Sequence, residues 1–153
     1  QASEPFRPVS IRIKERSGKV TDTVRSTEPV IIEFEYQLDA PVTGLRVGMY
    51  LNTMRGEYVF TAFDTDDAKQ FEQFGARAAG RYVGRCESPA DLFNEGRYYL
   101  GVNASSFGVK RYFMDENAIS FNVDISGAPG TQWPELRQGP IRPRLNWKIE
   151  KID

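Results

Sequence analysis

Val30, Ile32, Phe34, Tyr36 and Leu38 alternate with Ile31, Glu33, Glu35 and Gln37. A period of two belongs to a strand with one buried face, because successive side chains of a strand point to opposite sides. With β-branched and aromatic residues on one side and mostly polar ones on the other, few other elements suit this run. The same constraint recurs along the chain. Val9, Ile11 and Ile13 alternate with Ser10, Arg12 and Lys14; Leu45, Val47, Met49 and Leu51 alternate with Arg46, Gly48, Tyr50 and Asn52. Tyr98, Leu100 and Val102 oppose Arg97, Tyr99, Gly101 and Asn103, and Ile119, Phe121, Val123 and Ile125 oppose Ser120, Asn122 and Asp124.

Other stretches are less regular. Tyr58 to Phe63 is apolar or small on both sides, so alternation does not assign its faces. Thr65-Asp66-Asp67 before Ala68–Phe74 predicts a short helical turn capped by carboxylates. Arg81 to Cys86 returns to strand, and Ala104 to Asn117 is expected to be a long loop. The tail from Thr131 holds both tryptophans and a last alternating run, Leu145, Trp147 and Ile149. Short strands separated by Gly/Pro turns, with at most one short helix, predict an all-β fold, an antiparallel β-sandwich rather than a closed barrel. Residues 9–153 are expected to form the domain and residues 1–8 to be the remnant of a linker. Tyr98, near the start of its strand, is either a corner residue tied back to the backbone or simply a core aromatic.

Composition removes several classes of function. The chain has 153 residues, one domain by size. Its 20 basic and 21 acidic residues leave a net charge of −1, and no basic run offers itself to phosphates, so no nucleic acid is expected. No apolar run is long enough to insert in a membrane, and Gln1–Pro8 has no signal-peptide pattern. Cys86 stands alone, cannot form an internal disulfide, and is expected to be a small buried hydrophobe. Histidine is absent, which removes Ser-His-Asp and Cys-His catalysis and His-ligated zinc together. There is no Gly-rich phosphate loop of the NTPase type. Asp64 to Asp67 misses the spacing of a calcium loop, Asn103-Ala104-Ser105 is a sequon of a kind common by chance, and no pair of acids identifies itself as a glycosidase couple. No metal and no cofactor are expected.

The polar sides of the strands carry the candidate site. If the strands at Leu45, Arg97 and Ile119 are neighbours, their outer faces bring together Arg46, Tyr50, Asn52, Arg97, Tyr99, Asn103, Asn122 and Asp124. Gly48 and Gly101 would leave bare ground between them. A sugar offers an apolar C–H face and a rim of hydroxyls that donate and accept. Aromatic rings suit the first; amides, carboxylates and arginine suit the second. An ordinary solvated sheet face is the alternative.

Three phrases carry a family resemblance. They are Ser26-Thr27-Glu28-Pro29-Val30-Ile31-Ile32-Glu33-Phe34-Glu35-Tyr36; the Leu…Gly-x-Tyr stretch from Leu92 to Val102; and Gly139-Pro140-Ile141-Arg142-Pro143-Arg144-Leu145-Asn146-Trp147, a Gly-x-x-Arg-Pro-x-x-x-Trp ending. With these the chain resembles the C-terminal carbohydrate-binding domain of Wzt-type ATPase subunits of O-antigen polysaccharide ABC transporters. The resemblance implies an immunoglobulin-like sandwich without catalytic activity. Such a domain would bind the terminal, modified end of a lipid-linked O-polysaccharide and couple chain completion to export. It further implies a cytoplasmic place at the inner face of the inner membrane, through the ATPase domain and membrane subunit. A homodimer with an exchanged C-terminal strand is also implied; the Leu145/Trp147/Ile149 run would be that strand, unless it folds back on its own subunit. Trp133 and Trp147 are then packing or interface residues. The alternatives are a glycan-processing enzyme with paired carboxylates and a purely structural dimerisation module.

Overall fold

Side chains on facing strands meet between two sheets in the computed structural model, which describes residues 1–153. The strands are β1 (Phe6–Lys14), β2 (Thr23–Arg25), β3 (Ile31–Leu38), β4 (Val42–Thr43), β5 (Leu45–Thr53) and β6 (Tyr58–Phe63). After helix α1 (Ala68–Phe74) come β7 (Ala76–Arg77), β8 (Gly80–Glu87), β9 (Gly96–Ser106) and β10 (Lys110–Asp124). One sheet has the order β2-β10-β9-β5-β6, the other β1-β3-β8, and β4 and β7 form a small pair. Neighbours are antiparallel except β2 and β10. The architecture is the expected β-sandwich, and β5, β9 and β10 are indeed adjacent.

The alternating residues build the core. Ile32, Phe34, Tyr36 and Leu38 of β3 face Leu45, Val47, Met49 and Leu51 of β5 and Tyr98, Leu100, Val102 and Ala104 of β9, all buried. Each large side chain so buried contributes about 1.5–3 kcal/mol of transfer free energy, which makes the facing stripes the dominant source of cohesion. Tyr98 plays both roles foreseen for it. Its ring stacks on Phe121 at 5.8 Å, and its hydroxyl lies 2.9 Å from the Asn94 carbonyl and 3.0 Å from that of Pro140. Burial pushes its pKa up to about 12. Asn94 completes the clamp, its Nδ2 donating to the carbonyls of Arg137 and Gly139, both at 2.8 Å. The chain is thereby tied down as far as Arg142, whose guanidinium donates to the Pro129 carbonyl at 2.9 Å.

Three expectations give way. The first strand begins at Phe6, inside the segment expected to be a linker: Phe6 is buried and Ser3 N–H donates to the Tyr112 carbonyl at 2.7 Å. A register shift between Pro8 and Ser10 turns Val9 to solvent, so Phe6 fills the core in its place, while Ile13 is buried as expected. Ala104 to Asn117 is no loop but the end of β9, a tight turn and the start of β10. Shifts at Arg111/Phe113 and Asp115/Ile119 break the two-residue period there. The run Leu145–Ile149 does not fold back as a strand on its own chain, and Trp147 and Ile149 are 87% and 92% exposed. The helix, by contrast, is capped as foreseen, with Asp67 Oδ1 accepting from the N–H groups of Lys69 and Gln70 at 3.1 Å each. It is far too short to cross a membrane, and no helix is long and apolar enough to do so.

The outward face of the three-stranded sheet is a ladder of ions. Glu33 accepts from Lys14 at 2.9 Å and Arg85 at 2.7 Å, and Glu35 pairs with Arg81 and, at 3.9 Å, Arg12. The hydrogen bonds from Lys14 and Arg85 hold the Glu33 carboxyl below the usual carboxylate range, against a smaller opposing effect of burial. A carboxyl depressed in the folded state adds stability above its unfolded pKa and loses it as pH falls through the folded one. Urea denaturation at neutral pH and at pH 3 should therefore show Glu33→Gln destabilising the protein at neutral pH and costing less at pH 3.

Candidate functional site

The outward face of the five-stranded sheet is built differently. Register sets Asn52 of β5 opposite Tyr99 of β9, and Tyr99 opposite Ser120 of β10. One row further, Arg97 opposes Asn122; on the other side Tyr50 opposes Gly101 and Thr61 of β6. Residues directly opposite on antiparallel strands share a face, so Tyr50, Asn52, Arg97, Tyr99 and Asn122 form one contiguous group. Two further side chains join it. Tyr58 of β6 is 70% exposed and meets Tyr50 edge-on, with centroids 6.2 Å apart and planes at 72°. Ser120 receives a hydrogen bond from the Arg97 guanidinium at 2.8 Å, while the same guanidinium carbon stands 5.8 Å from the Tyr99 centroid. Arg97 is thus held by a hydroxyl and an aromatic ring rather than by a carboxylate, which leaves its charge uncompensated within the group.

The remaining expected residues lie elsewhere. Arg46 and Asn103 sit toward the far end of β5 and β9. Arg46 stacks on Phe63, its guanidinium carbon 3.9 Å from the ring centroid, with Phe107 at 5.3 Å. Asn103 is only 9% exposed and its Oδ1 has no partner. Buried in the middle of a strand, it is poorly placed as a glycosylation acceptor. Asp124 lies beyond the last pairing of β10 with β9, and its carboxylate accepts from the backbone N–H of Ser126 at 2.9 Å and its hydroxyl at 2.8 Å. Those bonds, the backbone one first, hold its pKa below the ordinary value. Asp124 closes its own turn.

Neither glycine is bare ground. A Cβ on Gly48 would collide with the Phe63 ring, and one on Gly101 would lie 2.9 Å from the Glu116 carbonyl oxygen. Between Asp115 and Ile119 strand β10 carries extra residues against Gly101, and this bulge folds over the glycine. The face is therefore split into two aromatic–arginine groups with the bulge and Phe63 between them. Tyr58 and Phe63 were hidden from pattern reading because β6 is apolar on both sides. The aromatic content of Tyr58–Phe63 is the one signal of them in the sequence.

A cleft of about 440 Å³ lies where the edges of β6 and β8 diverge, lined by Tyr36, Met49, Phe63, Asp64, Arg77 and Cys86 among others. Two of its ions, Arg77 and Asp64, are engaged with one another. Arg77 donates to Asp64 at 2.8 Å, to the Leu45 carbonyl at 3.1 Å and to the Tyr36 hydroxyl, and Asp64 also accepts from the Val47 N–H at 3.1 Å. Asp66 accepts from the Phe63 N–H at 3.0 Å. With Asp67 capping α1, each carboxylate of the Asp64–Asp67 run has a structural duty. Burial pushes the Cys86 thiol up, away from the thiolate.

A family model described as the Wzt C-terminal domain matches residues 7–133. Among solved structures, a crystal structure of the C-terminal domain of wzt superposes with a TM-score of 0.76 at 11% identity, covering 98% of this chain and 87% of that one. A Pseudomonas fluorescens alkylpurine DNA glycosylase bound to DNA containing an abasic site analog gives 0.49 at 13% identity, over 80% of this chain and 31% of that one. The CARDB domain of a Pyrococcus furiosus protein in complex with di-metal ions gives 0.44 at 15% identity, over 80% and 98%. The first likeness establishes the shared fold, and the other two are too distant to add to it. No curated protein matches the sequence.

The bulge makes a direct prediction. Gly101→Ala forces a methyl group against the Glu116 backbone, and overpacking of this kind costs about 1–3 kcal/mol. Urea denaturation of the variant measures the cost. Unaltered stability would mean that the bulge yields freely and does not divide the face.

Proposed function

The chain belongs to the Wzt C-terminal domain family, and from that premise we propose that it is a non-catalytic carbohydrate-binding domain of an O-antigen ABC transporter. Its ligand is the terminal, capped or modified end of the lipid-linked polysaccharide, held at the cytoplasmic side so that export follows chain completion. The observation that carries this is the pairing of Tyr50, Tyr58 and Tyr99 with Arg97, Asn52, Ser120 and Asn122 on one rigid sheet face. Rings for C–H faces and donors and acceptors for hydroxyls stand side by side. On the other sheet the donors and acceptors are largely engaged in ion pairs with one another. None of the side chains in the tyrosine group is a carboxylate, the group that serves as acid and base in glycoside hydrolysis; Asp115 and Glu116 lie on the adjoining bulge. Binding on so open a surface is weak to moderate, because few groups are fully desolvated.

We further propose a homodimer, with the tail beyond Arg142 as the exchanged element. Leu145, Trp147 and Ile149 recur on one side of the tail and are exposed in the single chain. The outer edges of β6 and β8 have no strand partner, so each can accept one. In this arrangement the ATPase domain and membrane subunit complete the transporter around the dimer.

Isothermal titration with capped and uncapped polysaccharide should show tighter binding of the capped form. Tyr99→Ala should weaken it about tenfold, or ~1.4 kcal/mol. Equal affinity for both forms would overturn recognition of the terminus, and an unaffected variant would remove the site. Light scattering on a chain ending at Arg142 should give a monomer where the full chain gives a dimer; a dimer that survives the deletion refutes the exchange.

A further inference from the structure

Beyond the tyrosine group, the geometry points to a second subsite on the same face, built around Arg46 and Phe107, for sugar units of the same polysaccharide set back from its terminus. It rests on the carbohydrate-binding function proposed above and extends it. Phe107 stands at the turn between β9 and β10, 79% exposed, on a hairpin held by paired backbone. Its ring approaches the Arg46 guanidinium, which is already stacked on Phe63. Arg46 opposes Ser105 of β9, and Ser105 opposes Arg111 of β10, so two arginines flank one hydroxyl in a single cross-strand row. The Nε of Arg46 has no hydrogen-bond partner. An exposed aromatic ring beside arginine and hydroxyl donors repeats the chemistry of Tyr99 beside Arg97 and Ser120.

The spacing favours one polymer over two separate ligands. Asn52 opposes Tyr99 and Arg46 opposes Ser105, so the two rows are six residues apart on β9, roughly 20 Å along a strand that rises about 3.3 Å per residue. An extended glycan lying along β9 crosses the bulge and reaches both groups. The first contact then raises the effective concentration of the second, and two weak contacts on one chain add to more than either alone. A terminal cap engages the Arg97 group while the units behind it engage the Arg46 group, which would make the domain sensitive to chain length as well as to chain end.

The test is a titration series with capped oligosaccharides of increasing length cut from the polysaccharide. Affinity should step up at least about tenfold once the ligand spans both groups. Phe107→Ala, a change at an exposed turn, should abolish that step and leave the Kd of the shortest capped ligand unchanged. Tyr99→Ala should weaken short and long ligands alike. Affinity independent of length, or a Phe107→Ala variant that keeps the step, overturns the second subsite and leaves the first standing. A chain that binds no oligosaccharide of any length overturns both.

Discussion

Everything on the outer face depends on how firmly β9 is held between β10 and β5. Its inward residues Tyr98, Leu100, Val102 and Ala104 are among the most buried in the protein. A slip of one residue would exchange them with Arg97, Tyr99, Gly101 and Asn103. That exchange would bury two polar groups and a charge, which the core has no partners to receive. The core therefore fixes the outer face without touching it: Tyr99 is outward because Tyr98 and Leu100 cannot be. The clamp of Tyr98 on Asn94 and Pro140 anchors the same strand at its start, so register and the path of the C-terminal segment are set together.

The two sheets use their solvent faces in opposite ways. On β1, β3 and β8, glutamates and cations neutralise one another across neighbouring strands. Such pairs are worth little individually near the surface, but they engage both glutamates of β3 with cations of the neighbouring strands. On β5 and β9, Arg46 and Arg97 are held by aromatic rings and a serine instead. Cation–π contact orients a guanidinium without neutralising it. The difference in arginine partners, more than the number of polar residues, marks one face as a surface for binding.

How much of this is legible in the sequence depends on how local its cause is. The inward stripes of β3, β5 and β9 are readable because one-sided burial imposes a strict period. The helix cap at Asp67 is readable for the same reason, its partners lying two and three residues away. Phe6 is hidden between Pro5 and Pro8, where a bulge resets the alternation. The β9–β10 hairpin is hidden by two register shifts that scramble the period over the very residues that form it. Of the site, Tyr50, Asn52, Arg97, Tyr99 and Asn122 are found by alternation once the strand order is right. Their separation from Arg46 and Asn103 is not, because it follows from where Glu116 crosses Gly101, and the closeness of two backbones leaves no trace in either segment alone. Asp124 carries the right spacing but is diverted by Ser126, a partner two residues away.

Strand β6 has a consequence of another kind. It lies at the edge of the larger sheet, and its sequence Tyr-Val-Phe-Thr-Ala-Phe has no charge, proline or glycine. Short segments of that composition are the ones that stack into cross-β fibrils when an edge is left open. On the other sheet, β8 carries Arg81, Arg85 and Glu87, charges that hinder stacking against a second copy of the same strand. For β6 the guards stand at the two ends, Glu57 before it and Asp64 after it. Asp64 is fixed by Arg77, so an ion pair that lines the cleft also keeps a carboxylate stationed beside this segment. The position of that carboxylate is thus set by one buried arginine on the small β7 strand.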